Sequence, residues 1–320
     1  MFSGKISSYP LSDNITYESG AVNLRVILNG KKAGSNAVRD AIHAARKKDT
    51  VEVRVTWEHG DIHRFVGEAV ENGCRRLLVG GGDGTVNEIA AAITQLPTEK
   101  RPELAILPLG TANDFATSCG IPVSPNEALS LAQNGNATVV DAARANEHIF
   151  INVASGGFGA QVTANTPTEL KNFLGGGAYT LAGVAQALNF TPYKGRMKIP
   201  GDVTLEGDVI VAAVCNGRQA GGGQQLAPLA LINDGLLDVV GLRDFAPQML
   251  PSVIKELKDP SINGDYVVRL KAPWVEWQCE VDIPINLDGE PIRAKEVHFE
   301  VIPAAIKLVL PENNSITDSS

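Results

Sequence analysis

The chain has 320 residues, 32 of them glycine, and a formal charge of −8. That length suits two domains with sizeable cores, and the glycines imply many tight turns. The acidic balance disfavours nucleic acid as a main partner and broad adhesion to an anionic membrane, while leaving room for a local basic patch. Cys74, Cys119, Cys215 and Cys279 are scattered without a C-x-x-C pair, so free thiols are expected rather than disulfides or zinc ligands. The first residues carry a lone Lys5 and no apolar core segment, unlike a secretory signal, and a cytoplasmic protein is expected.

In chain order, residues 1–21 are polar and Ser-rich and read as a flexible extension. Val22–Leu28 is a strand ending at Asn29-Gly30, and Ser35 can cap a helix with Val38, Ile42 and Ala45 on its apolar face. Val51, Val53 and Val55 alternate as a second strand up to Thr56-Trp57, and Asp61 can cap a helix reaching about Asn72. Leu77-Leu78-Val79 enters Gly80-Gly81-Gly82-Asp83-Gly84-Thr85, and Ile89, Ala92, Ile93 and Leu96 leave it at helical spacing. Thr85 and Glu88 stand three apart as in a capping box, so the helix should begin just after the loop. Leu104–Pro108 is a fourth strand, followed by Leu109–Phe115, and a short helix is expected at Asn126–Gln133. Four strand–helix alternations predict a parallel sheet with helices on both faces, an α/β domain over 22–140. In such sheets ligands lie beyond the carboxyl ends of the strands, where Asn29, Thr56, Gly80–Thr85 and Gly110–Asp114 all fall.

Four glycines in five positions let a ligand approach backbone N–H groups at a helix start, which suits phosphate. A ligand-free tight turn is the plainer alternative, but it does not explain an acid in mid-loop. An acid facing phosphate needs a cation between them, so Asp83 implies Mg²⁺. The loop has neither the Lys-Ser/Thr of a Walker motif nor a G-x-G-x-x-G fingerprint.

From Val139 onward short strands separated by turns predict an antiparallel sandwich or barrel over 141–311. The expected strands are 139–141, Ile149–Val153, Val203–Leu205, Val209–Val214, Leu237–Leu242, Tyr266–Leu270, Val275–Asp282 and Val297–Ile302. A helix around Val162–Phe190 would be an insertion, and 312–320 a flexible tail. Asn172–Tyr193 has no charged residue but is too polar and glycine-broken to span a membrane. It reads as a helix packed on its own domain, with lipid contact beside Lys194, Arg196 and Lys198 as the sharper alternative. His59 and His63 lack a third metal ligand and read as a solvated helix face. Asn216–Gly223 is a polar loop suited to shaping an acceptor pocket, and Leu231–Leu236 on its own reads as a plain turn. Asp288-Gly289 reads as a hairpin turn, and Glu290 beyond it as a carboxylate that can accept a hydroxyl proton.

Gly80–Glu88, Pro108–Ala116, Asn216–Gln225, Leu231–Leu237 and Asn286–Pro291 together resemble the diacylglycerol kinase catalytic family, in particular its bacterial YegS-type lipid kinases, which are relatives of sphingosine kinases. The resemblance runs from Val22 to Pro311. It implies a nucleotide domain similar to those of NAD kinases and phosphofructokinases, followed by a β-sandwich domain. It implies ATP on Gly80, Gly81, Gly82, Asp83, Gly84, Thr85 and Val86, with Thr56 and Thr111 lining the site. Glu290 would be the general base and Asp83 would help position Mg²⁺. Leu231, Asp234 and Leu236 would form a second Mg²⁺ site, or one for Ca²⁺, the leucines acting through their carbonyls. One departure is Asn29-Gly30-Lys31, where many relatives carry Asn-Pro-x-Ser-Gly. The expectation is therefore ATP- and Mg²⁺-dependent transfer of the γ-phosphoryl group to a lipid hydroxyl in an interdomain cleft, with phosphatidylglycerol, diacylglycerol or a similar lipid as acceptor and transient contact with the membrane surface. The alternatives are a kinase of a soluble acceptor such as NAD, and a nucleotide-binding regulator without turnover. A serine hydrolase is disfavoured because no G-x-S-x-G elbow occurs.

Overall fold

The computed structural model describes residues 24–157, 192–259, 261 and 264–318. The first half alternates β1 (Leu24–Asn29), α1 (Asn36–Ala45), β2 (Val51–Thr56), α2 (Asp61–Glu71), β3 (Arg76–Gly81), α3 (Asp83–Thr94), β4 (Glu103–Pro108), α4 (Asp114–Ser118) and α5 (Pro125–Asn134). Its strands are parallel in the order β4-β3-β1-β2. Side-chain alternation splits each strand between two cores. Leu24, Val26 and Leu28 of β1 pack with Val38 and Ile42 of α1 and Leu129 of α5. Ile27 points the other way, with Phe65 of α2 and Ile89 and Ile93 of α3. Each fully buried aliphatic side chain contributes about 1.5–3 kcal/mol, so the sheet is held from both faces as the periodicity predicts.

The second half is the strand-rich sandwich. It contains β5 (Ala137–Ala145), β6 (His148–Phe150), β7 (Val153–Gly157), β8 (Tyr193–Ile199), β9 (Val203–Cys215), β10 (Gln219–Ala220), β11 (Gln224–Gln225) and β12 (Leu237–Arg243). These are followed by α6 (Leu250–Lys258), β13 (Val267–Ala272), β14 (Trp274–Leu287) and β15 (Glu290–Val309). Phe150, Val214, Val275, Ile285 and Phe299 meet in its core. β7 and β8 lie end to end along β9, Gly157 opposite Val211 and Tyr193 opposite Val209.

β15 belongs to both halves. It pairs with β14 and β5, shifts register between Ile302 and Ile306 around Ala304 (φ 53°), and then runs parallel to β4. Ile306 and Leu308 are buried in the same core as α2 and α3.

Several local expectations differ from what is seen. α3 begins at Asp83 rather than after Thr85, and no side chain caps it. The Thr85 hydroxyl instead accepts a hydrogen bond from Asn29 Nδ2 (3.1 Å), so the capping box is displaced by a contact between two loops. Ser35 is the N-cap of α1 without a capping hydrogen bond. Asp61 is the first residue of α2 and not its cap, and its carboxylate takes the N–H groups of Trp57 (2.6 Å) and Glu58 (3.0 Å). These bonds hold its pKa down at about 2. The expected strand at 149–153 is broken into β6 and β7, and the strand pair at 203–214 is one strand. Residues 312–318 are not a free tail: Ile316 is fully buried and its carbonyl accepts the Ile232 N–H (3.0 Å). Arg196 and Lys198 lie on β8 and pair with Glu206 and Glu276, and Lys194 on the same strand is exposed. The extension 1–21 and the helix expected at 162–190 lie outside the described residues. None of the four cysteines is in a disulfide, and Cys74, Cys119 and Cys215 are buried.

Candidate active site

The glycine loop after β3 and the loop after β4 touch through their backbones. A Cβ on Gly110 would stand 2.5 Å from the Gly82 Cα, so this approach is open only to glycine. Asn113 adopts the left-handed conformation (φ 52°) and braces the second loop. Its Oδ1 accepts the Gly110 N–H (2.7 Å), and its Nδ2 donates to the Gly110 carbonyl (3.1 Å). The first helical bond of α3 runs from the Val86 N–H to the Gly82 carbonyl (3.0 Å). The N–H groups of Asp83, Gly84 and Thr85 therefore have no intrahelical partner, and they share the positive end of a twelve-residue helix. Gly84 is exposed, and nothing lies within 4 Å of where its Cβ would be. Val86 is different. Its N–H is already bonded and its side chain is buried, so it serves the core and offers a nucleotide no donor. Gly80 and Gly81 are likewise buried in the strand, where Gly81 accepts the Leu109 N–H (2.8 Å) and so aligns the two loops. Thr56 ends β2 beside Asn29 and its hydroxyl accepts the Gly30 N–H (3.3 Å), while Thr111 is exposed in the second loop.

Acids from both halves converge here. Asp83 Oδ1 accepts the Phe115 N–H (3.1 Å), which ties α3 to α4 and leaves its second oxygen for a cation. Asp114 is buried and accepts the N–H groups of Gly222 (2.8 Å) and Gly223 (2.6 Å), so the polar loop of the second half closes onto the first. Burial raises the Asp114 pKa, and the Asp83 charge adds to the shift. Asp288 and Gly289 form the two-residue turn between β14 and β15, both with positive φ. The Asp288 carboxylate accepts three N–H groups, from Ile151 (2.7 Å), Asn152 (3.0 Å) and Val153 (2.7 Å), at the point where β6 breaks from β7. Burial nevertheless pushes its pKa up to about 6, and Asp83 contributes to the rise. Glu290, two residues on, is exposed and rides on a turn pinned from three sides. Burial also raises the pKa of Glu88 on α3, where His63 and His59 oppose the shift and Glu290 reinforces it. Glu290 thus lies within electrostatic reach of Glu88 on the helix that carries the glycine loop. Sequence reasoning missed the anchoring by Asp114 and Asp288, because their partners are over a hundred residues away.

Residues 23–145 match the diacylglycerol kinase catalytic domain, and residues 152–310 match the YegS C-terminal NAD kinase beta sandwich-like domain. The chain belongs to the YegS-like lipid kinase family. It is 48% identical to the "Probable lipid kinase YegS-like" of Shewanella frigidimarina over 91% of this chain and 94% of that one. The protein of the same name in Chromohalobacter salexigens is 47% identical over the same shares. The solved structure of a diacylglycerol kinase from Bacillus anthracis superposes with a TM-score of 0.72 at 21% identity, over 92% of this chain and 99% of that one, a likeness of fold. The enzyme is thus a lipid kinase with an α/β first domain and a β-sandwich second domain. Among the described residues no helix is long and apolar enough to cross a membrane.

The turn expected to hold a second cation fits that role poorly. Both oxygens of Asp234 are engaged: Oδ1 accepts the Leu236 N–H (3.1 Å) and Oδ2 takes the Lys271 ammonium (2.9 Å). A divalent ion bound by Asp234 with the Leu231 and Leu236 carbonyls would meet that ammonium on the same carboxylate.

Proposed function

We propose that the enzyme transfers the γ-phosphoryl group of ATP, brought as its magnesium complex, to a hydroxyl of a lipid such as phosphatidylglycerol or diacylglycerol, at the junction of its two domains. The observation that carries this reading is the pairing of two groups across that junction. Three N–H groups without an intrahelical partner open α3, and Glu290 sits on an anchored turn within electrostatic reach of Glu88 on that helix. The N–H groups of Asp83, Gly84 and Thr85 receive the phosphates, with the exposed Thr111 hydroxyl and Thr56 lining the nucleotide site. Asp83, through its oxygen not bonded to Phe115, would hold the magnesium that accompanies ATP, and that ion would offset the charge of the phosphates. Glu290 accepts the proton of the lipid hydroxyl as it attacks phosphorus, an effect worth ~10²–10⁴ in rate. Asp288 and Asp114 touch no reactant in this scheme: the first holds Glu290 in place and the second holds loop 219–225 against the nucleotide domain. The enzyme works from the cytoplasm, meeting its acceptor at the membrane surface.

The test is transfer of label from ATP with Mg²⁺ into mixed micelles carrying diacylglycerol, phosphatidylglycerol, sphingosine or no lipid, with an NAD reaction alongside. Label in one lipid that depends on Glu290 supports the reading. Label in NAD alone, or ATP binding with no transfer to any acceptor, overturns it.

A further inference from the structure

The cation that the family resemblance implies at the turn 231–236 has a rival within the chain. Lys271 lies on β13 directly opposite Asp238 of β12. Its ammonium is 2.9 Å from Asp234 Oδ2 and 3.3 Å from Asp238 Oδ2. Both carboxylates are largely enclosed, their side chains 17% and 15% exposed. Asp238 Oδ2 is buried without a hydrogen bond, so the ammonium is the counter-charge it depends on.

The rest of the turn is stitched without any ion. Asp141 donates its N–H to the Ile232 carbonyl (2.6 Å), and its carboxylate accepts the N–H groups of Gly235 (2.9 Å) and Ala304 (2.9 Å). Ile232 in turn donates its N–H to the Ile316 carbonyl (3.0 Å). Strand β5, the kink of β15 and the end of the chain are thereby joined through one turn. A hard cation takes six or more oxygens, and a carboxylate that shares its charge with an ammonium is a weak contributor to such a set.

We propose that Lys271 is the resident cation of this turn: its ammonium neutralises Asp234 and Asp238 together, and the fold there is indifferent to divalent ions. The magnesium that enters with ATP is a separate requirement and is unaffected.

The test uses the full chain without nucleotide, so that its outcome is independent of the acceptor and of turnover. Thermal unfolding is followed in EDTA, Mg²⁺ and Ca²⁺, and Ca²⁺ binding is measured by calorimetric titration. Wild-type protein should unfold at the same temperature in all three and show no site that Asp234→Asn removes. Lys271→Met keeps most of the apolar stem but leaves two enclosed acids unpaired. It should unfold several degrees lower in EDTA and recover with Ca²⁺ or Mg²⁺, saturating as one site, because an ion that binds only the folded state stabilises it by mass action. Lys271→Met with Asp234→Asn should lose that recovery. The proposal is overturned if the wild-type protein binds an ion lost in Asp234→Asn, or if Lys271→Met responds to ions no more than the wild type does.

Discussion

The contact between the two glycine loops gives the most demanding test of the site. In Gly110→Ala the new methyl would stand 2.5 Å from the Gly82 Cα and 2.7 Å from Asn113 Oδ1. Carbon atoms pack at about 3.5–4.0 Å, so the loops must separate by roughly 1 Å. The neighbour is backbone on one side and a braced asparagine on the other, so neither can rotate aside. Overpacking of this kind costs about 1–3 kcal/mol in stability. The same displacement moves the N–H groups that open α3, and a misplacement near 1 Å is worth ~10² in rate. Gly82→Ala is the milder case, its methyl 3.1 Å from the Gly110 Cα. Gly84→Ala is the control for fold, because its methyl enters open space. That variant should unfold like wild type and yet bind ATP more weakly, since the methyl projects where the phosphates are proposed to sit. Melting curves, ATP titration and kcat/KM for label transfer distinguish the three. A Gly110→Ala protein with wild-type stability and turnover would refute the argument, and so would a Gly84→Ala protein with unchanged ATP affinity.

Glu290→Gln removes a base from an exposed position, so the protein should melt as wild type while turnover falls ~10²–10⁴-fold; ATP affinity, measured separately, should hold. Asp288→Ala leaves three N–H groups without their acceptor, each costing about 1–3 kcal/mol where water cannot reach. A clear drop in denaturant midpoint, together with lost turnover, is expected, and a variant that keeps both would remove Asp288 from the positioning role. Asp61 has a folded pKa of about 2 against an unfolded value near 3.8, so its contribution is present above about pH 4 and lost as pH falls through 2. The gap in melting temperature between wild type and Asp61→Ala should accordingly narrow from pH 5 to pH 2; a gap that widens on acidification would contradict the sign.

The strand–helix alternation of the first half was legible because its causes are local. Val51, Val53 and Val55, or Ile89, Ala92 and Ile93, declare their periodicity within one element. The sheet edge that carries the candidate site followed from that alternation, and the glycine run is where the proposed nucleotide contacts lie. What was not legible depends on partners far away in sequence. Thr85 and Glu88 have the spacing of a capping box, but Asn29 claims the Thr85 hydroxyl across 56 positions. Ile149–Val153 reads as one strand until the Asp288 carboxylate, 135 to 137 positions on, takes the N–H groups at its break. Ile316 looks like part of a polar tail, yet its burial depends on Ile232. Asp234-Gly235 looks like any turn, and nothing near it in sequence announces Lys271. The helix at Leu250–Lys258 has no counterpart in the strand pattern expected around it, although Pro251 in its first turn suits a helix start.

The strand that crosses between the two halves sets an order of events for synthesis on the ribosome. The nucleotide-binding half has its first four strands and five helices by Asn134, but the segment that pairs with Glu103 and Leu104 is Lys307 and Leu308. Until that segment emerges, the outer side of β4 is an open edge, and the core of α2 and α3 lacks Ile306 and Leu308. Domains tend to fold as they are made, first half first. Here the first half waits for the second, so a ribosome that stalls between the two leaves a nucleotide domain with an unpaired strand and an unfilled core. Such a fragment exposes a strand edge and apolar core surface, the features chaperones act on, until Lys307 and Leu308 have been translated.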